Sequence, residues 1–302
     1  MPLQRVELKP RMFHKPPTTI TCFRRKVISI GAPNAYCRAM IRIALIAALL
    51  ASPATATTQD DVLTARLLPG WQVDSGAQMA ALQLTLAPGW KTYWRSPGDA
   101  GIPPSFDWSG SDNVKSVRIH WPSPTVFHLN GLQTIGYHDQ LVLPVEVTPL
   151  DPGKPMRLAV EVNLGVCDQI CLPASLSLSA DLPQPGGSDA AIAAALGQRA
   201  ATASEAGVGR VFCTVDPIAD GLRLTASIAV AGRGADEVVA VELADPDVWI
   251  AESVETRRGG QLVAVTELVA LSGAPFALDR SAVTLTILSE GRAVEIRGCP
   301  AP

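Results

Sequence analysis

The sequence lacks the short motifs that mark several large enzyme classes. It contains no GxSxG, no HExxH and no Walker loop, and no GxGxxG stands between a predicted strand and a predicted helix. Each of these motifs carries a defined chemistry, from serine hydrolysis to dinucleotide binding. Their absence leaves those chemistries without support, and we predict no cofactor.

Basic residues are scarce once the first 56 residues are set aside. That segment holds nine of the 25 Lys and Arg residues but one of the 28 Asp and Glu residues. The remaining 246 residues keep 16 basic and 27 acidic side chains, a net charge of −11. Because nucleic-acid binding depends on clustered Lys and Arg, we predict no nucleic-acid partner.

Long apolar runs are missing after residue 56, so we predict no membrane span in the mature chain. Before that point, residues 40–56 (MIRIALIAALLASPATA) contain a basic residue, a short apolar run and small residues at the end. This pattern is typical of a secretory signal peptide. We predict that residues 1–56 are a leader, with Met40 as an alternative start, and that the protein is exported.

Cysteines are few: of six in the chain, four lie beyond the leader, at positions 167, 171, 213 and 299. Disulfides persist in exported proteins, and the spacing favours Cys167 with Cys171 and Cys213 with Cys299. In the chain-entropy estimate, the long loop is worth about 4.6 kcal/mol and the short one about 2 kcal/mol. We therefore predict that Cys213–Cys299 is a structural disulfide.

The short pair lies in GVCDQICLP (residues 165–173) and is a poor staple. On a straight strand its Cα atoms would stand about 13 Å apart, whereas a disulfide needs less than about 7 Å. The chain must therefore bend between them, and a short bent loop favours an exchangeable bond. Spacing alone leaves three interpretations open: a redox pair, a small structural bridge, or a metal clip completed by a histidine, with His120, His128 and His138 as candidates.

The local sequence offers no cation that would activate Cys167. Its neighbour Asp168 is an anion, which disfavours a thiolate and tends to raise a thiol pKa. A partner could supply the attacking thiolate instead, and the sequence gives neither cysteine priority for the first attack.

Strand-like patterning dominates the chain after the leader. Short apolar or alternating stretches such as MRLAVEVNLGV (residues 156–166) are separated by Pro and Gly, which predicts an antiparallel sandwich of immunoglobulin size. An Ala-rich run with Ser188 as N-cap predicts one helix within residues 184–207. We predict an all-β protein, with an immunoglobulin-like β-sandwich at 57–183, a linker with a short helix at 184–207, and a second β-sandwich at 208–302.

Three blocks of sequence resemble a known family. GWKTYWRSPGDAGIPPSFDW (89–108), FHLNGLQTIGYHDQLVLPVEV (127–147) and NLGVCDQICLP (163–173) resemble, in this order, the amino-terminal periplasmic domain of the thiol–disulfide interchange protein DsbD. The ScsB-like members, named for suppression of copper sensitivity, are the more similar ones. The resemblance spans roughly residues 60–183.

The resemblance implies that Cys167 and Cys171 cycle between dithiol and disulfide and exchange electrons with periplasmic thioredoxin-fold partners. The family continues into a membrane domain, so here we expect a separate membrane electron-transfer protein as a further partner. The family also shields its cysteines with an aromatic cap, and the corresponding residues here are Tyr93, Phe127, His128, Leu129 and Tyr137.

We therefore predict a periplasmic thiol–disulfide oxidoreductase of the protein-disulfide reductase type, without a resident metal. The alternative is a non-catalytic immunoglobulin-like protein for binding or copper handling. In that case Cys167 and Cys171 would bind metal or merely staple a loop.

Overall fold

Strands account for most of the chain, as their β-branched and alternating sequences predict. The computed structural model describes residues 57–129, 131–234 and 236–302, so the predicted leader, with Met40 and the signal segment, lies outside the described residues. In strand β17, Gln261–Ala270, buried and half-buried positions alternate along QLVAVTELVA, because successive side chains point to opposite faces. The all-β prediction is confirmed.

The first part of the described chain forms two antiparallel sheets. One has the order β1-β2-β8-β5, and the other has the order β10-β9-β3-β7-β6, with β4 also pairing with β9. A single helical turn, α1 (Gln59–Val62), precedes them. The strands are β1 Leu63–Gln72, β2 Gln78–Leu86, β3 Lys91–Tyr93, β4 Ser105–Asp107, β5 Val114–Ile119, β6 Thr125–Leu129, β7 Leu132–His138, β8 Gln140–Pro149, β9 Met156–Cys167 and β10 Cys171–Leu182.

The second part repeats this plan with two further sheets, ordered β11-β19-β18-β14 and β12-β13-β17-β15, with β16 also pairing with β17. Helix α2 (Ala190–Gly197) precedes these sheets, and a 3-10 turn (Arg280–Ala282) precedes β18. The remaining strands are β11 Ala201–Thr202, β12 Val211–Pro217, β13 Leu222–Ala229, β14 Val238–Glu242, β15 Val248–Ile250, β16 Val254–Arg258, β18 Thr284–Ser289 and β19 Arg292–Arg297.

Helix α2 lies in the predicted linker, but its N-cap differs from the expected Ser188. The Asp189 side chain accepts hydrogen bonds from the backbone N–H groups of Ala191 and Ile192, so the helix begins one residue later. The Asp189 carboxylate thus satisfies two N–H groups that have no partner within the helix.

Apolar side chains between the sheets form the cores. In the first part, β9 contributes Val162, Leu164 and Val166 to a cluster that also contains Trp94. Val238, Ala240, Leu288 and Ala293 of the second part pack into the same cluster, so the two parts share an apolar contact.

A half-buried ion-pair network reinforces that contact. The Arg95 guanidinium donates to both carboxylate oxygens of Glu242, at 2.7 and 3.0 Å, and to Glu295 at 3.0 Å. Its guanidinium carbon also lies 4.4 Å from the ring centre of Trp94. Residues 57–302 accordingly form one compact unit, while the predicted boundaries at 183 and 207 stay a prediction.

Candidate redox site

A β-hairpin brings Cys167 and Cys171 together. Strands β9 and β10 pair so that Cys171 lies directly opposite Cys167, and the three residues between them form the turn. The Asp168 N–H donates to the Ile170 carbonyl across this turn at 3.0 Å. The two Cα atoms are 4.1 Å apart and the sulfurs are joined in a disulfide. The bend that the spacing requires is therefore the end of a hairpin.

The disulfide lies on the outer face of its sheet. Val166 belongs to the apolar core, and its neighbour Cys167 therefore points to the other side, because side chains alternate along a strand. Cys167 is paired with Lys91 of β3, and Lys91 is paired in turn with His138 of β7. Residues directly opposite one another share a face of the sheet. The row Cys171, Cys167, Lys91, His138 thus crosses four strands on the outer face.

The two sulfur-bearing residues differ sharply in exposure. Cys167 is 1% exposed, although it lies on an outer face, whereas Cys171 on the edge strand β10 is exposed. The alternating burial of β9 ends at Leu164, after which the strand is buried on both faces. Cys171 is therefore the more accessible residue of the pair.

Tyr93 and Ile102 cover the outer face beside Cys167. A Cβ atom built on Gly165 would lie 3.0 Å from Ile102 Cβ and 3.2 Å from Tyr93 Cε2, so both side chains pack directly on this glycine. The Tyr93 hydroxyl also lies 3.7 Å from Cys171 Sγ. Burial raises the pKa of Tyr93, which keeps this hydroxyl protonated and able to donate to sulfur. Gly165 is thus required by the close approach of its cover.

Sequence reasoning did not identify Ile102, which lies in the loop between β3 and β4. The available signal is the loop itself, GDAGIPP, in which a single large apolar residue stands between Gly101 and two prolines. Ile102 keeps 42% of its surface exposed, so it covers Gly165 from the solvent side.

Lys91 is a cation on the strand next to Cys167, where the local sequence offers none. Its ammonium donates to Thr134 Oγ1 at 2.9 Å and lies 5.0 Å from the ring centre of Phe127. Burial lowers the pKa of Lys91, and the charge of Asp168 raises it in part. The local sequence around Cys167 could not reveal this cation because the β3–β9 register alone brings it there.

The predicted cap residues separate into three groups. Tyr93 lies at the disulfide, while half-buried Phe127 covers Lys91 and stands 5.9 Å from the His138 ring. His128 and Leu129 are exposed at the end of β6.

The third group is Tyr137 alone, which lies in the core. It is 7% exposed, and its hydroxyl donates to the Pro122 carbonyl at 2.8 Å. Its neighbours in β7, Gly136 and His138, are paired with Tyr93 and Lys91 on the outer face. Strand alternation therefore points Tyr137 away from the cysteines, so its side chain does not cover them.

Cys213 and Cys299 form the other disulfide, with Cα atoms 5.4 Å apart. Both residues are 0% exposed and belong to the core of the second part. Hydrogen bonds enclose the pair: the Cys213 carbonyl accepts from the Arg280 guanidinium at 2.6 Å, and the Cys299 N–H donates to the Arg280 carbonyl at 2.9 Å. Neither sulfur faces solvent.

Two of the three candidate metal-binding histidines have other partners, and the third, His128, is exposed at the end of β6. His120 lies 3.1 Å from Glu146, and His138 lies 2.6 Å from Asp139. Within the described residues, no three His, Cys, Asp or Glu side chains gather as a metal ion would need. Among the described helices, none has the length and apolar character for a membrane crossing.

Comparison with known proteins agrees with this geometry. Residues 64–183 match the family described as thiol:disulfide interchange protein DsbD, N-terminal. Among solved structures, the N-terminal periplasmic domain of ScsB from Proteus mirabilis has the same fold, with a TM-score of 0.62 and 24% sequence identity over 82% of this chain and 96% of that one. None of the curated proteins matches the chain. The resemblance seen in the three sequence blocks is confirmed over residues 64–183.

Proposed function

We propose that this protein is a periplasmic thiol–disulfide exchange protein whose Cys167–Cys171 pair cycles between disulfide and dithiol. The observation that carries the proposal is the asymmetry of this bond, which joins an exposed sulfur-bearing residue to a covered one. An exchange protein needs one sulfur that a partner can attack and another that leaves and later returns. The family match over residues 64–183 supports the same chemistry.

The exchange step follows from exposure. A partner thiolate attacks Cys171 Sγ, the Cys167–Cys171 bond breaks, and the electron pair leaves on Cys167 as a thiolate. The partner is then joined to Cys171 in a mixed disulfide. The partner's second thiolate then attacks the partner sulfur of the mixed disulfide. The partner leaves with a disulfide, and this protein keeps Cys167 and Cys171 as a dithiol. In the opposite direction, the Cys171 thiolate attacks a partner disulfide.

The partners we propose are periplasmic thioredoxin-fold proteins together with a separate membrane electron-transfer protein. The signal pattern at residues 40–56 supports export. The solved ScsB domain of similar fold is described as periplasmic, which supports the same location here.

The shield over the pair is proposed to consist of Tyr93 and Ile102, with Phe127 extending it over Lys91. Tyr93 and Ile102 pack on Gly165, and Phe127 contacts Lys91. Such a cover slows attack by small thiols, while a docking partner displaces it. Cys213–Cys299 is proposed to be structural, since both of its residues are buried in a core.

The test uses purified protein and a defined thioredoxin-fold protein in its disulfide form. The reduced protein should transfer two electrons to it, and a Cys167→Ser variant should stop at a mixed disulfide through Cys171. A Cys171→Ser variant should form almost none, because its remaining thiol is covered. Failure of the wild type to exchange, together with stoichiometric zinc or copper binding that resists a chelator, would favour the metal-clip alternative.

A further inference from the structure

The sheet register sets a lysine across from the covered cysteine. Lys91 of β3 is paired with Cys167 of β9, and the next pair along is Thr92 with Val166. Opposite residues in adjacent antiparallel strands have Cβ atoms about 4.5–5.5 Å apart. An ammonium on a flexible four-carbon stem can reach a sulfur at that position.

In the oxidised protein, the contacts of the Lys91 ammonium are on the outer face at β7 and β6. Thr134 accepts its hydrogen bond at 2.9 Å, and the Phe127 ring lies beneath it at 5.0 Å. The titratable groups around it are Asp168 from the turn, Tyr93 from its own strand and His138 from β7. Asp168 brings the only negative charge among these three, and it is exposed to solvent.

The leaving step creates an anion where water is scarce. When a partner thiolate attacks Cys171, the electron pair of the broken bond moves to Cys167, which is 1% exposed. Apolar burial raises a thiol pKa and disfavours the thiolate, whereas an adjacent cation favours it. A thiol of lower pKa also leaves faster.

We propose that Lys91 stabilises the Cys167 thiolate and thereby sets how readily the disulfide opens. The inference rests on the proposed function, because only exchange at Cys171 makes Cys167 the leaving sulfur. In the oxidised protein Lys91 donates to Thr134, and in the reduced protein its ammonium turns toward the sulfur across the strand.

The experiment measures the pKa of Cys167 directly. In a Cys171→Ser background, Cys167 is the only free thiol beyond the leader, because Cys213 and Cys299 remain bonded. Its thiolate absorbance is titrated in three forms: Lys91 retained, Lys91→Met and Lys91→Arg. Lys115→Met on β5, an exposed lysine of the other sheet, is the matched control.

We expect Lys91→Met to raise the pKa of Cys167 by about one unit, the lower end of the range for a nearby charge. Lys91→Arg should restore most of the difference, and Lys115→Met should change nothing. With both cysteines present, Lys91→Met should also slow reduction by a thioredoxin-fold dithiol several-fold. Circular dichroism shows whether each variant is folded, and Lys91→Gln replaces the Met variant if that one is not.

An unchanged pKa of Cys167 in folded Lys91→Met or Lys91→Gln protein would overturn the inference while leaving the proposed function intact. If Lys91→Arg raises the pKa of Cys167 as much as Lys91→Met does, the shape of the lysine side chain matters and its charge does not, which would also overturn the inference. If wild-type protein fails to exchange with a thioredoxin-fold partner, the proposed function fails irrespective of the titration.

Discussion

The two disulfides within residues 57–302 close loops of very different length and lie in opposite surroundings. Cys167–Cys171 spans a hairpin turn on an outer sheet face, and one of its residues is exposed. Cys213–Cys299 spans 86 positions, and both of its residues are 0% exposed. Loop length decides how strongly a bond restricts the unfolded chain, and exposure decides which molecules reach it. The long loop therefore favours a structural role for Cys213–Cys299. The exposure of Cys171 favours thiol–disulfide exchange at Cys167–Cys171.

The largest expected effect is on stability. Replacing Cys213 and Cys299 together by Ala should lower the free energy of unfolding by about 4 to 5 kcal/mol, whereas replacing Cys167 and Cys171 should lower it by about 2 kcal/mol. The difference arises because the longer loop restricts more conformations of the unfolded chain. Urea titration followed by circular dichroism measures both. Equal losses would break the division into a structural and an exchangeable pair.

The next effect is the order of reduction. A mild dithiol can reach Cys171 once the side-chain cover moves, but it reaches Cys213–Cys299 only after the second sandwich opens, at a cost of a few kcal/mol. We therefore expect the short pair to be reduced about a hundredfold faster or more. Alkylation of the freed thiols at timed intervals, followed by peptide mapping, gives both rates. Simultaneous or reversed reduction would contradict the redox assignment.

A smaller effect concerns the contact between the two halves. Arg95→Met removes the hydrogen bonds to Glu242 and Glu295 and should lower the free energy of unfolding by about 2 kcal/mol at neutral pH. Glu242→Gln is the matched milder change, since it keeps an acceptor for Arg95. If Arg95→Met and Glu242→Gln lower the free energy of unfolding equally, the loss of the Arg95 side chain costs no more than the loss of the Glu242 charge.

The effect of Arg95→Met should also depend on pH. Burial alone would raise the pKa of Glu295, but the hydrogen bonds and charges of Arg297 and Arg95 lower it below its ordinary 4.5. A carboxylate with a depressed pKa stabilises the fold above the unfolded value and loses that contribution as the pH falls through the folded value. The gap between wild type and variant should therefore be constant above about pH 5 and shrink in more acidic solution. Urea titrations at several pH values test this, and a gap that widens in acid would contradict it.

The smallest expected effect sharpens the contrast in access. Ile102→Ala removes part of the cover over Gly165 and should raise the rate at which glutathione reduces Cys167–Cys171 a few-fold, with little change in stability. Phe127→Ala together with Leu129→Ala should change the rate less, because Phe127 covers Lys91 and Leu129 is exposed. Leu132→Ala, at an exposed position of β7, is the control. A larger effect from the Phe127 pair than from Ile102 would place the shield on the β6–β7 hairpin.

The sequence allowed the fold class to be predicted because the signals for it are local. Alternation along strands such as β17 reports which face is buried, and proline and glycine mark the turns. The cysteine pairing was likewise within reach, since a disulfide between Cys167 and Cys171 demands a bend. Even the N-cap of α2 was missed by only one residue, where Ser188 and Asp189 are both good caps.

The surroundings of the pair could not be predicted, because they depend on which strands become neighbours. Lys91 is far from Cys167 in sequence and meets it only through the β3–β9 register. The position of Tyr137 in a block of sequence predicts a place in the cap, but strand alternation directs its side chain into the core. Ile102 lies in a loop without periodicity, where no sequence pattern indicates what its side chain covers.

The pairing of Cys167 and Cys171 across the hairpin has a consequence for how long a partner stays attached. The β9–β10 ladder continues for twelve residue pairs from Cys171 with Cys167 to Leu182 with Met156, and none of its backbone hydrogen bonds depends on the disulfide. After the bond opens, the ladder holds the two sulfurs side by side, so each meets the other at a high effective concentration. In the proposed exchange, the Cys167 thiolate therefore attacks a mixed disulfide at Cys171 in an intramolecular step. A partner that cannot complete the exchange would then be released quickly, so the strand ladder shortens the lifetime of unproductive mixed disulfides.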